Sequence, residues 1–181
     1  MLVQIFDNVG FYGPVLIFCI AIYLLYKTPI LITTFIIGYI LNILFNYLLK
    51  GIFRMPRPNE NMKKFDAEIR MNKYMELDRF GMPSGHAQTM LYSLVFVSFA
   101  LLSKQNKVKG LNTGKNWIAL MVLLSITTLA QRVHFMWHSL IQIFVGSIIG
   151  ALIGYGFFYY SQVRSRGSLA IKEEQNAPIH F

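Results

Sequence analysis

Three short clusters in this chain carry the side chains that phosphate chemistry needs. The first reads Arg132–Val–His–Phe–Met–Trp–His138–Ser–Leu–Ile–Gln142 and lies between two apolar runs. Arg132 is a fixed cation whose planar donor fork suits a phosphate. His138 can act as a base, an acid or a nucleophile near neutral pH. Gln142 follows one helical turn later, within reach of a ring nitrogen of His138. The second cluster, Lys50–Gly–Ile–Phe–Arg–Met–Pro–Arg57–Pro58, adds the cations Lys50 and Arg57, with Arg54 between them. The third, Gly81–Met–Pro–Ser84–Gly85–His86, opens another apolar run. Free N–H groups at such a helix start favour an anion, Gly85 lets the backbone come close, and Ser84 adds a hydroxyl donor.

Lys50, Arg57 and Arg132 have no equal set of acids at the motifs. Gathered at one place they repel one another unless an anion with several oxygens sits between them. A phosphate or diphosphate fits. His138 is then placed to attack phosphorus and form a phosphohistidine, while His86 protonates the leaving oxygen and later activates water. The cations stabilise the equatorial oxygens of the transition state. No carboxylate pair or cysteine set suggests a metal site, so metal-free hydrolysis without a cofactor is expected. Simpler readings exist for each residue alone. A single histidine beside an apolar helix is usually structural, and interfacial Lys and Arg commonly just snorkel. His134 and His138 also form an i, i+4 pair able to hold a metal, though no third ligand is evident. His180 reads as an inert tail residue, and Trp137 as an interface anchor.

The elements that must position these clusters are apolar runs. The 181 residues are 55% hydrophobic and 14% charged, with mean hydropathy +0.47. That excludes an ordinary soluble domain and points to an integral membrane protein. The net charge of +9 sits in the connections, which favours lipid head groups and phosphorylated substrates over nucleic acid. Cys19 is the one cysteine, so no internal disulfide can form. Apolar runs cover residues 10–26, 30–49, 87–102, 117–130 and 139–160. Several fall short of the roughly 20 residues that cross a bilayer, so their ends should extend into the flanking motifs. The expected fold is an all-α membrane bundle of about five transmembrane helices, with the active site at one membrane face. Pro29 should open the second helix after a tight turn at Lys27–Thr28. Asn42 and Asn46 should face the bundle interior, and Gly146, Gly150 and Gly154 should form a packing seam. Met62, Phe65 and Ile69 have the spacing of a surface helix within the long polar segment 51–85, which reads equally well as a solvated connector. No removable signal peptide is read at the start of the chain.

Taken together, the three clusters resemble the type-2 phosphatidic acid phosphatase and vanadium haloperoxidase superfamily. Its pattern is K-x6-R-P, then P-S-G-H, then S-R-x5-H-x3-D. Lys50 to Arg57–Pro58, Pro83–Ser84–Gly85–His86, and Arg132 with His138 match in order. The resemblance implies a helical membrane bundle and a metal-free phosphohistidine route, with the roles given above. Gln131 stands where the pattern has serine, and Gln142 where it has the aspartate that orients the nucleophile. A glutamine oxygen can still accept the Nδ1–H bond, but it supplies no charge to an imidazolium. Asn46–Tyr–Leu–Leu–Lys50, Gly81–Met–Pro–Ser–Gly–His–Ala–Gln88 and Arg132 to Gln142 are similar to the dolichyldiphosphatase branch, which carries glutamine at the Gln142 position. Its usual second serine is Gly85 here.

The resemblance implies hydrolysis of a polyprenyl diphosphate at the lumenal face of the endoplasmic reticulum, in the service of glycosylation. A phosphatidate or other lipid monophosphate phosphatase is the nearest alternative, and a catalytically silent lipid-phosphate binder is another. Residues 1–160 would form one membrane phosphatase domain, with 161–181 a polar, disordered cytoplasmic tail. Oligomeric state is not legible. Five spans put all three clusters on one side. Lys27, Lys104, Lys107, Lys109, Lys115, Arg164, Arg166 and Lys172 mark the other side as cytoplasmic. Glycosylation acceptor sites engineered into the 51–85 loop should therefore be modified in microsomes. Modification confined to the 103–116 loop would reverse the orientation.

Overall fold

A computed structural model of the chain describes residues 1–58, 76–103 and 111–175, with side chains left out of account at 111–113 and 169–175. Helix α1 spans Leu2–Leu25, α2 Pro29–Phe53, α3 Gly85–Leu102, α4 Leu111–His134 and α5 Leu140–Gln175. All five are long and apolar enough to cross a membrane. The all-α membrane bundle expected from the apolar runs is what forms. The runs lengthen as expected: α2 reaches Phe53 through Lys50, and α3 begins within the Ser84–Gly85–His86 motif.

Local chemistry sets the helix ends. Pro29 opens α2 at its first turn, where a missing N–H costs nothing. Arg54 closes α2 in the left-handed region at φ 45°, and its N–H returns to the Lys50 carbonyl. Ser84 caps α3, its Oγ accepting from the Ala87 N–H at 3.4 Å. The chain leaves α4 at His134 and turns through Met136, which has φ 56°. One expectation fails. Residues 161–175, read as disordered tail, continue α5 as helix. No proline interrupts that stretch. Residues 176–181, and the segment around Met62, Phe65 and Ile69 that reads as surface helix or connector, lie outside the described residues.

In lipid, helices associate through close packing and internal polar bonds more than through burial of apolar area. Both devices join α3 to its neighbours. A Cβ at Gly146, Gly150 or Gly154 of α5 would run into the main chain of Ser84, Gln88 or Tyr92 on α3. The glycine seam therefore sets how near α5 comes to the motif at the start of α3. On the other side, Gln88 Nε2 donates to the Asn42 carbonyl at 2.9 Å and to its Oδ1 at 3.0 Å. Asn46 Nδ2 donates to Gln88 Oε1 at 2.8 Å. Asn42 and Asn46 face inward, as their spacing predicts. Below this layer Phe35, Tyr92 and Phe96 form the aromatic centre of the core, and Tyr92 Oη donates to the Phe35 carbonyl at 2.8 Å.

Gly150→Val should force α5 off α3 and lower stability by about 2 kcal/mol, or roughly 4–8 °C in the detergent unfolding midpoint. Gly156 of the same helix has open space around it, so Gly156→Ala should leave the midpoint unchanged or higher.

Candidate active site

The three motif segments meet at one end of the bundle. They line a cavity of about 290 Å³ whose walls include Lys50, Arg57, Gly85, His86, Arg132 and His138. This is near the lower end of ordinary ligand pockets and suits a compact head group. Six of the eight predicted residues are thus brought together around one space. The other two, Ser84 and Gln142, stand behind the wall. Ser84 is fully buried as the cap of α3, and Gln142 backs His138.

His138 is held at both ring nitrogens. Arg57 Nη1 lies 3.1 Å from Nε2. A guanidinium only donates, so Nε2 must be the accepting, unprotonated nitrogen. Nδ1 then carries the proton and donates to the Gly81 carbonyl at 3.0 Å and to Gln142 Oε1 at 3.3 Å. The Gln142 amide is itself fixed. Its Nε2 donates to the Pro56 carbonyl at 2.8 Å, and its Oε1 also accepts from the Ser139 N–H at 3.1 Å. An aspartate could not make the bond to Pro56. Gly81 must lack a side chain here, since a Cβ would enter the Gln142 amide. Burial, and then the charges of Arg57 and Arg132, hold the His138 imidazole well below its usual basicity.

The cations are packed into structure. Lys50, Arg57 and Arg132 are only 3%, 5% and 5% exposed, so each needs close anionic or dipolar neighbours. Arg57 also donates from Nη1 to the Trp137 carbonyl at 2.9 Å and from Nε to the Asp78 carbonyl at 2.9 Å. Arg132 lies over the Trp137 ring, 5.4 Å from its centroid. Trp137, read as an interface anchor, therefore serves both arginines. His86 lines the cavity, and its Nε2 is 3.2 Å from the Phe11 carbonyl, so that nitrogen is protonated and α1 sets the ring's direction. The i, i+4 pairing of His134 with His138 does not form along a helix. The helix ends at His134, which is exposed and packs on Phe135.

Two acids were missed. Asp78, in a 3-10 turn at Glu76–Arg79, forms an ion pair with Lys50 at 2.5 Å and accepts from Tyr47 Oη at 3.3 Å. Asp7 on α1 accepts from Gln131 Nε2 at 2.7 Å, and Gln131 Oε1 faces Arg132 Nη1 at 3.5 Å. Gln131, standing where the family pattern has serine, thus reaches from Arg132 to α1. A Cβ at Gly10 would fill the space that Gln131 occupies. Neither acid lies within a motif. Only the excess of cations over acids signalled that such partners were needed.

A histidine buried neutral contributes stability that is fully present above the unfolded-state value of 6.5 and is lost as pH falls below it. The unfolding midpoint should drop between about pH 7 and about pH 5, and His138→Gln should flatten that slope. An equal slope in the variant would show that His138 is not held neutral.

A sequence profile of the PAP2 superfamily matches residues 30–166. A Saccharomyces cerevisiae protein named dolichyldiphosphatase is 31% identical over 124 residues, covering 67% of this chain and 48% of that protein. Dolichyldiphosphatase 1 of Dictyostelium discoideum is 24% identical over 140 residues, and that of Homo sapiens 25% over 145, each covering 77% of this chain and 56% of the relative. The chain spans about half the length of the curated relatives it matches. No solved structure matches it. The profile covers all three motif segments that line the cavity, and the chain belongs to the PAP2 superfamily.

Proposed function

We propose that this chain is a membrane lipid phosphatase that hydrolyses a polyprenyl diphosphate of the dolichyl type through a phosphohistidine. The observation that carries the reading is the state of His138: neutral, protonated at Nδ1, with Nε2 turned toward Arg57 in a cation-lined cavity. When a phosphate takes the Arg57 N–H onto its own oxygen, the Nε2 lone pair is released and this imidazole becomes a nucleophile. Its Nε2 lone pair attacks the terminal phosphorus, the P–N bond forms and the bond to the leaving oxygen breaks. His86, with its Nε2–H held on the Phe11 carbonyl, gives that oxygen a proton from Nδ1. His86 then takes a proton from water, whose oxygen attacks phosphorus, breaks the P–N bond and returns His138 to its neutral form.

Arg57, Arg132 and Lys50 carry the charge of the transferring group, with the backbone at Gly85 beside them. Ser84, behind the cavity wall, fixes the start of α3. Gln142 and the Gly81 carbonyl orient His138. The fixed cations supply what a divalent ion supplies elsewhere and would repel one, which supports a metal-independent reaction. The names of the relatives support the lipid diphosphate as substrate. Residence in the endoplasmic reticulum is what the resemblance to the dolichyldiphosphatase branch implies. The basic connections on the opposite face favour a lumenal site and a cytoplasmic C-terminus.

Purified protein in detergent with EDTA should release phosphate from a polyprenyl diphosphate faster than from phosphatidate. His138→Ala should reduce that rate by at least about 10³-fold. A preference for phosphatidate would move the chain to the monophosphate phosphatases. No release from either lipid, with phosphate-lipid binding intact, would make it a binding protein and sink the enzyme reading.

A further inference from the structure

Among the described residues that line the cavity, Asp78 is the one acid. A carboxylate inside a site built for phosphate opposes the ligand, so its presence calls for a reason. Pro56 and Phe80 form an antiparallel bridge, and the Gly81 N–H donates to the Met55 carbonyl at 2.8 Å, pinning the Glu76–Arg79 turn to the chain after α2. The turn then grips Lys50 and Arg57. The Asp78 carboxylate takes Lys50, while its main-chain carbonyl takes Nε of Arg57. Tyr47 Oη, one helical turn before Lys50 on α2, steadies the second carboxylate oxygen.

We propose that Asp78 is an internal counter-ion that competes with bound phosphate for Lys50 and so sets the rate of product release. The inference rests on the phosphatase reading. A buried ammonium needs an anionic partner whether or not a ligand is present. In the empty cavity Asp78 is that partner. When a phosphate enters, the three N–H donors of Lys50 are divided between two anions, and carboxylate and phosphate repel across the cavity. Inorganic phosphate among three buried cations without an opposing charge would leave slowly. Asp78 weakens substrate and product alike, which raises KM but spares the catalytic step and hastens release. As phosphate departs, Lys50 returns to Asp78 and no cation is stranded. Asp78 thus acts through Lys50 as a positioning residue.

The test is the inhibition constant of inorganic phosphate for the purified full chain, measured beside KM, kcat and the unfolding midpoint. Asp78→Asn keeps the shape and removes the charge. It should lower the phosphate inhibition constant by about tenfold, as expected on deleting one nearby like charge, and should lower KM and kcat together. Asp78→Glu keeps the charge and should stay within about twofold of wild type. Tyr47→Phe loosens the carboxylate and should shift phosphate inhibition in the same direction as Asp78→Asn by a smaller factor, so the proposal stays testable if Asp78→Asn does not fold. An unchanged or higher inhibition constant in the folded variants, with wild-type hydrolysis intact, overturns the role of Asp78 and leaves the phosphatase reading standing. Wild-type protein that neither hydrolyses the lipid nor is stabilised by inorganic phosphate removes both.

Discussion

The contact between Arg57 and Nε2 of His138 is the point on which the site turns. It joins the chain after α2 to the turn between α4 and α5, and it fixes the histidine's tautomer without any carboxylate. A permanent cation set against an imidazole nitrogen excludes a proton from that nitrogen. The proton must then sit on Nδ1, where the Gly81 carbonyl and Gln142 both accept it. An aspartate at position 142 would add charge, but the tautomer does not need it. Gln142 is a coherent alternative because its amide group also ties the Pro56 segment to α5.

Such a contact requires buried cations at one end of the bundle, and the fold supplies their surroundings in layers. The glycine seam brings α5 against α3, so the Gln142 carbonyl accepts the Ser84 N–H at 3.0 Å. The Asn42, Asn46 and Gln88 amides lock α3 to α2 just beneath, with Asn46 also donating to the Pro83 carbonyl at 3.3 Å. Helix α1 contributes from outside the motifs. The Phe11 carbonyl turns His86, and Asp7 reaches Arg132 through Gln131. Each helix of the bundle thus holds at least one part of the site, and no part rests on the apolar core alone.

Much of this was legible in residue types and spacing. The apolar runs located five helices, Pro29 and Ser84 marked two starts, and Asn42, Asn46 and the three glycines announced their inward faces. The convergence of Lys50, Arg57, His86, Arg132 and His138 followed from counting spans. What stayed hidden had physical causes. Asp78 lies in a charged stretch where the 3-10 turn has no periodic signature, and Asp7 reaches the site only across helices. The Gly81 and Trp137 carbonyls act through main chain, which carries no residue-specific signal. The polar composition after Tyr160 suggested disorder, yet α5 runs on to Gln175 with no proline to stop it.

The proposed reaction makes one atom decisive: Nε2 of His138 must carry the phosphoryl group between the two displacements. Rapid acid-free quenching of the protein during turnover of a terminally labelled polyprenyl diphosphate, followed by mapping of the labelled peptide, reads that atom directly. Label on Nε2 of His138, absent when Arg57 is replaced by methionine, is the predicted result. Label on His86, or turnover with no covalent intermediate on the protein, would contradict the account.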